Sequence, residues 1–255
     1  MTTRVAVLGA GGRMGQAVSG AVAADAELEL VGAVDPQHVG EDAAGVTIDA
    51  GVEALNESPP EVVVDFTQID AARQNLEWCA DHGVHAVVGT TGFTDDDLER
   101  LRARFTKSNC FIAPNFAIGA VLLMRFAELA APWFETGEII ELHHDQKIDA
   151  PSGTAMLTAE RMAGASADWG ADPTTKQVLA GARGAAGPAG IRVHSVRLRG
   201  LVAHEEVILG TTGQSLSIRH DSYDRTSFLP GVVLALKSIA SRPGVTVGLD
   251  ALLDL

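Results

Sequence analysis

Near its start the chain carries a short apolar run, residues 4–8, that passes directly into Gly9-Ala10-Gly11-Gly12-Arg13-Met14-Gly15 and then into a stretch with helical spacing. A strand that turns through glycines into a helix leaves few architectures open. The glycines permit a tight turn and let backbone approach a ligand, and the helix start offers unpaired N–H groups and a positive dipole end to an anion. A glycine-rich turn also serves geometry alone, so its context decides. The next apolar run, residues 28–34, ends in Asp35, about twenty residues beyond the turn, where an acid accepts hydrogen bonds from an adenosine ribose. The bland alternative is an Asp-Pro turn at Asp35-Pro36. With strand, glycine turn, helix, strand and acid in order, the expectation is dinucleotide binding.

The alternation continues. Residues 61–66, 84–88 and 109–113 read as strands, while 14–24, 69–82 and 95–107 carry helical spacing; Ala72, Leu76, Cys79 and Ala80 share one face. This predicts an α/β fold, a Rossmann-type doubly wound parallel sheet with right-handed crossovers. Gly89, Thr90 and Thr91 follow one strand, and Ala113, Pro114, Asn115 and Phe116 close another. Ligands of open parallel sheets sit beyond the carboxyl ends of the strands, so these loops, with Asp65-Phe66-Thr67, fall where a nicotinamide ring would lie.

The pattern changes after about residue 117. A helix over 118–131, a strand over 138–143 and a helix after Pro151 lead to a Gly-, Ala- and Pro-rich loop over 163–190. Residues 191–199, 205–209 and 216–220 then read as strands without helices between them, predicting an antiparallel or mixed sheet. A last helix is expected over 228–240 and an apolar tail over 249–255. The domain expectation is a dinucleotide-binding domain of residues 1–116 completed by 227–255, and a smaller α+β substrate-binding and oligomerisation domain of residues 117–226.

Glu141-Leu142-His143-His144-Asp145-Gln146-Lys147, followed by Asp149-Ala150-Pro151-Ser152-Gly153-Thr154, concentrates the polar chemistry. Imidazole is the usual proton donor or acceptor near neutral pH, and a lysine beside it holds a carboxylate or gives up a proton. Pro151-Ser152-Gly153-Thr154 reads as a helix start whose orphan N–H groups serve a cap and an anion alike. His143 and His144 are adjacent at a strand end, so alternation aims them in different directions. Zinc is the rival reading. The pattern is not H-E-x-x-H, neither cysteine is near and no third ligand is evident, so no metal site is expected. Asp145 and Asp149 read as solvated or capping groups.

Lys and Arg number 19 against 33 Asp and Glu, a net charge of −14, which disfavours nucleic acid and anionic membrane surfaces as partners. Cys79 and Cys110 lie apart in apolar surroundings and read as buried free thiols of a reducing compartment. With no signal-peptide pattern and no apolar run of membrane-spanning length, the expectation is a cytoplasmic enzyme.

Taken together, these motifs resemble the 4-hydroxy-tetrahydrodipicolinate (dihydrodipicolinate) reductase family. The family's E-x-H-H-x-x-K-x-D-A-P-S-G-T signature runs from Glu141 to Thr154, joined by its G-x-x-G-x-x-G turn, its G-T-T-G loop from Gly89 to Gly92, its P-N-F segment from Pro114 to Phe116, and Asp224-Arg225-Thr226-Ser227-Phe228 before the last helix. The resemblance covers essentially the whole chain. It implies reduction of a small cyclic dicarboxylate by NADH or NADPH in lysine and diaminopimelate biosynthesis. It implies His143 as proton donor/acceptor, Lys147 as second proton donor, and His144, Ser152, Gly153 and Thr154 as substrate ligands. Gly9, Ala10, Gly11, Gly12, Arg13, Met14, Asp35, Gly89, Thr90, Thr91, Ala113, Pro114, Asn115 and Phe116 are implied as the dinucleotide site, and a homotetramer assembled through the second sheet as the oligomer. One departure stands out: Pro36 follows Asp35 where family members that accept both cofactors often carry a basic residue. Two alternatives remain beside this reading, a dinucleotide-dependent sensor that has lost catalysis and a semialdehyde dehydrogenase. The latter is expected to use a cysteine nucleophile, and neither Cys79 nor Cys110 is well placed for that.

Overall fold

The computed structural model describes residues 2–253. In chain order its strands and helices are β1 (Thr3–Leu8), α1 (Arg13–Ala24), β2 (Leu28–Val34), β3 (Asp42–Ala43), β4 (Val46–Asp49), β5 (Val62–Asp65), α2 (Ile69–His82), β6 (His85–Val88), α3 (Asp95–Arg104), β7 (Cys110–Ile112) and α4 (Ile118–Ala130). There follow β8 (Thr136–His143), α5 (Gly153–Ala165), β9 (Ala185–Ala186), β10 (Arg192–Arg197), β11 (Ala203–Thr211), β12 (Gln214–Ser222), α6 (Leu229–Ser238) and β13 (Val245–Val247). The chain divides into two compact units. One is formed by the chain up to Ile118 and from Arg225 onward, the other by Gly119–Asp224.

Among the described residues, eight strands of the first unit form one sheet in the order β13-β7-β6-β5-β1-β2-β4-β3. All its pairings are parallel except the β3–β4 edge. Strands buried on both faces read as continuous apolar runs, and Val5, Ala6, Val7 and Leu8 of β1 are fully shielded. The face bearing Ala6, Leu8, Val63, Ala86 and Val88 packs on Leu76, Cys79 and Ala80 of α2 and Leu101 of α3. Truncating Leu76 to Ala there costs about 2–5 kcal/mol. α1 packs against α6. Helix α2 ends at Gly83 in the left-handed region (φ 69°), the usual C-terminal stop.

The second unit holds a five-stranded sheet in the order β12-β11-β8-β10-β9. It is mixed: β8 runs parallel to β10 and antiparallel to β11. Alternation along β8 places Ile139, Glu141 and His143 on one face, level with Val193, Ser195 and Arg197 of β10 and with Val207, Glu205 and Ala203 of β11. Helix α5 packs against β8. The apolar members of that face, Ile139, Val193, Val207 and Leu209, are buried, whereas Ile140, Leu142, Val196 and Ile208 on the opposite face stay half-exposed.

Several boundaries differ from the sequence reading. Strands β3, β4 and β13 were not expected; they hold no continuous apolar run of the kind that marks β5, β6 and β7. The loop expected over 163–190 gives its first residues to α5, which continues to Ala165, and carries β9 near its end. Of the expected apolar tail, Leu249–Leu252 form a 3₁₀ turn with both leucines buried, while residues 254–255 lie outside the described residues. Cys79 and Cys110 are buried free thiols, as expected. Among the described residues no helix is long and apolar enough to cross a membrane.

Candidate active site

The expected dinucleotide residues collect at the carboxyl ends of neighbouring strands. Gly9, Ala10, Gly11 and Gly12 join β1 to α1, Asp35 follows β2, Gly89–Thr91 follow β6, and Ala113–Phe116 follow β7. The turn after β1 is built for glycine. Gly9 has φ of 77°, and a Cβ on Gly15 would come within 2.0 Å of the Gly9 carbonyl. Helix α1 therefore sits closer to the turn than any side chain allows.

That helix has no side-chain cap and no acid in its first turn. Helix α3 of the same unit shows the usual remedy. Thr94 Oγ1 accepts from the Asp97 amide at 3.2 Å, Asp97 returns the bond at 3.0 Å, and Asp95, Asp96 and Asp97 fill the first turn. The uncompensated α1 end, the glycine cradle and the acid at Asp35 fit a dinucleotide pyrophosphate and ribose. Asp35 is buried and accepts from the amides of Gly11 at 3.1 Å and Gln37 at 3.0 Å, with His38 Nδ1 at 3.2 Å. Burial pushes its carboxyl up, but the Gln37 amide, His38 and the Gly11 amide outweigh it and hold the group below its ordinary range.

Asp65, fully buried at the end of β5, accepts from Thr67 N (2.9 Å), Thr67 Oγ1 (2.7 Å), Thr90 Oγ1 (2.9 Å) and Asn75 Nδ2 (2.8 Å). One carboxylate thus ties the loops after β5 and β6 to α2. Asn115 Oδ1 caps the Ala117 amide at 2.9 Å. The Phe116 ring is buried, 5.8 Å from Phe66 and 6.0 Å from Phe111, so this side chain is committed to packing beneath its loop.

The polar cluster of the second unit centres on Glu141, a residue whose role sequence reasoning missed. Its side chain is inaccessible to solvent. Oε2 lies 2.5 Å from His143 Nδ1, and both oxygens receive Arg197, Nη1 on Oε2 and Nη2 on Oε1, each at 2.8 Å. The Ser152 amide donates to Oε1 at 3.3 Å. Burial pushes the Glu141 carboxyl up, yet the hydrogen bonds from His143, Arg197 and Ser195 prevail and bring it down to about 2. Glu141 is therefore an anion with its donors converging on it. It fixes the His143 ring with Nδ1 inward, leaving Nε2 as the nitrogen available for proton exchange.

Arg197 continues the chain of bonds, donating from Nη2 to the Asp149 carbonyl at 2.6 Å. The Asp149 carboxylate receives Lys147 Nζ on both oxygens at 2.8 Å. Hydrogen bonding from Lys147 holds the Asp149 carboxyl below its ordinary range. Asp149, expected to be a solvated or capping group, thus holds the lysine, and Asp145 pairs with Arg199 at 2.8 Å. His144 is exposed beyond the strand end, and its carbonyl accepts the Lys147 amide at 3.2 Å. Ser152 caps α5, Oγ accepting the Ala155 amide at 3.2 Å. Gly153 is exposed with open space where a Cβ would stand, and Thr154 follows it, half-buried. His143, Lys147, Ser152, Glu141, Arg197 and Asp149 thus form one connected network. Among the described residues no group of three or more His, Cys, Asp or Glu is arranged to hold a metal ion.

A Rossmann-type unit with an open α1 start, together with a second unit that presents an oriented imidazole, a lysine and a serine-capped helix start, defines a nicotinamide-dinucleotide-dependent oxidoreductase. Residues 3–116 match the model of the dihydrodipicolinate reductase N-terminus and residues 119–253 that of its C-terminus. The chain belongs to the dihydrodipicolinate reductase family. It is 54% identical over 261 residues to the 4-hydroxy-tetrahydrodipicolinate reductase of Nocardia farcinica, with all of both chains covered. It is 51% identical to the enzyme of that name from Corynebacterium aurimucosum, again over all of both chains. Dipicolinate-bound dihydrodipicolinate reductase from Paenisporosarcina sp. TG-14 superposes with a TM-score of 0.90 at 40% identity, covering 98% of this chain and 99% of that one.

Proposed function

We propose that this chain reduces 4-hydroxy-tetrahydrodipicolinate to tetrahydrodipicolinate with NADH or NADPH, in lysine and diaminopimelate biosynthesis. The observation that carries the reading is the Glu141–His143 pair, linked through Arg197 and Asp149 to Lys147 and through the Ser152 amide to the α5 start. These residues furnish a proton source and a carboxylate site in one network. The dinucleotide, when bound, would supply a hydride to ring carbon C4 of the conjugated imine that forms when the 4-hydroxyl leaves as water. Ser152, Gly153 and Thr154 receive a substrate carboxylate at the start of α5, where the cap takes only the Ala155 amide. His144 assists in binding the dicarboxylate. His143, held by the Glu141 anion through Nδ1, delivers a proton from Nε2 to the ring carbon next to C4, and Lys147 is the second donor. Holding the dicarboxylate in one register supplies much of the rate. Gly9–Met14, Asp35, Gly89–Thr91 and Ala113–Phe116 hold the dinucleotide, Phe116 by supporting its loop.

The reading extends to assembly and place. The sheet face bearing Ile140, Leu142, Val196 and Ile208 is half-exposed, and a homotetramer joined through it would bury these side chains. The free thiols fit a reducing cytoplasm. Steady-state kinetics with freshly generated substrate test the function: NADH oxidation that depends on that substrate is expected. A chain that binds NADH and pyridine-2,6-dicarboxylate yet never oxidises the cofactor is a sensor, and the proposal falls.

A further inference from the structure

Glu205 of β11 stands directly opposite Glu141 of β8 in the sheet register, on the same face, and is 5% exposed. Two carboxyl groups on adjacent strands of a buried face cannot both ionise cheaply. Glu141 has the donors to be the anion, namely Arg197, His143 and the Ser152 amide. Glu205 has no ion-pair partner among the described residues. Its contact is Thr158 Oγ1, at 2.5 Å.

The protons around Thr158 settle which group donates. Its fully buried hydroxyl lies 3.0 Å from the Thr154 carbonyl as well as 2.5 Å from Glu205 Oε1. A hydroxyl has one hydrogen, and a carbonyl only accepts. Both contacts are hydrogen bonds together when Thr158 donates to the Thr154 carbonyl and Glu205, as the neutral acid, donates to Thr158. An ionised Glu205 would take the only hydrogen and strip the Thr154 carbonyl of its side-chain partner.

We infer that Glu205 is a positioning residue of the carboxylate site, a neutral acid that acts through Thr158 on the Thr154 carbonyl and so fixes the first turn of α5. The inference rests on the proposed role of Ser152–Thr154 as the substrate clamp. Glu141 and Glu205 then grip the same helix start from neighbouring strands, one as an anion under the Ser152 amide, the other as an acid one turn further along. Burial and the nearby Glu141 charge push the Glu205 carboxyl up, to about 7. From β12 the facing group is His220, directly opposite in register and packed so close to Gly119 of α4 that a Cβ there would meet its ring at 2.4 Å. Burial pushes the His220 pKa down, so it brings no cation to Glu205 near neutral pH. On the β8 side His143 and Arg197 are spent on Glu141, and α5 contributes Thr158, which is uncharged.

The test is binding of pyridine-2,6-dicarboxylate to the NADH-loaded chain by calorimetry from about pH 6 to about pH 8.5, with substrate KM in parallel. Thr158→Val, which keeps the shape and deletes the hydroxyl, is expected to weaken dicarboxylate binding about tenfold and to raise KM with it, leaving NADH affinity unchanged. Glu205→Gln, whose amide donates at any pH, is expected to bind like the wild type at the acid end and to flatten the weakening seen above neutrality. Parallel pH profiles for Glu205→Gln and the wild type overturn the inference, as does a folded Thr158→Val that binds as tightly as the wild type. Thr154→Ala separates the two levels. If it leaves dicarboxylate binding untouched, the clamp reading fails; if it weakens binding while both other variants do not, only the role of Glu205 fails.

Discussion

Arg197 donates to both oxygens of Glu141, nitrogen to oxygen 2.8 Å each, across parallel strands whose residues lie 56 positions apart in the chain. A forked guanidinium holds a carboxylate in one plane, which points Oε2 at His143 Nδ1. The imidazole therefore has one orientation and one free nitrogen.

Replacing Glu141 separates charge from shape. Glu141→Gln keeps the size of the acceptor but removes the anion that orients the His143 ring, and kcat should fall about a hundredfold with NADH affinity unchanged. Glu141→Ala leaves the Arg197 guanidinium largely buried and unpaired, with an expected loss of about 3–5 kcal/mol of stability. Stopped-flow turnover and thermal melts measure the two effects. An active Glu141→Gln enzyme would show that the pair is structural only.

Lys147 is held by Asp149 through both carboxylate oxygens. Lys147→Ala should lower turnover by about two to four orders of magnitude and barely change NADH binding. Near-wild-type turnover would sink its assignment as a proton donor.

The two buried glutamates give opposite pH signatures. Glu141 has a folded pKa of about 2, below its usual 4.5, so its contribution to stability is complete above that usual value and is lost as pH falls toward 2. Glu205 is raised from 4.5 to about 7, so the unfolded chain releases this proton first and stability declines as pH climbs between those values. The melting temperature of Glu205→Gln relative to wild type should therefore be several degrees higher near pH 8 than near pH 4.5. A difference that does not change with pH would show that Glu205 is ionised in the folded chain.

Asp35 places a carboxyl held below its ordinary range where a ribose is expected, and Pro36, not a basic residue, comes directly after it. A 2′-phosphate would be repelled there, so NADH should have the lower KM. Asp35→Ser should move the NADPH/NADH ratio of kcat/KM toward NADPH by about tenfold. Paired kinetics with both cofactors decide; an unchanged ratio would free Asp35 from any part in the choice.

The two kinds of periodicity were legible to different depths. Leu28–Val34 and Ile69–His82 have the bounds read from the residues alone, because a buried parallel strand and an amphipathic helix each write their period into the chain. Strand β11 runs past its apolar stretch to Ala203 and Thr211, since its ends pair through backbone, which leaves no compositional trace. In the site, His143 and Lys147 were visible as residue types in a motif. Glu141 gave one signal, an acid two residues before His143 and hence on the same strand face. Nothing in the chain said that β10 would lie beside β8 and deliver Arg197 to it, so the anion's partner waited for the register.

The contrast between α1 and α3 bears on how long the protein lasts. Helix α3 carries its own cap and acids; α1 carries neither. Its first amides are left to water or to a bound anion. A ligand bound only by the folded chain adds to its stability, so the dinucleotide-loaded chain is the more durable of the two. Limited proteolysis with and without NADH is where that difference in durability is expected to show.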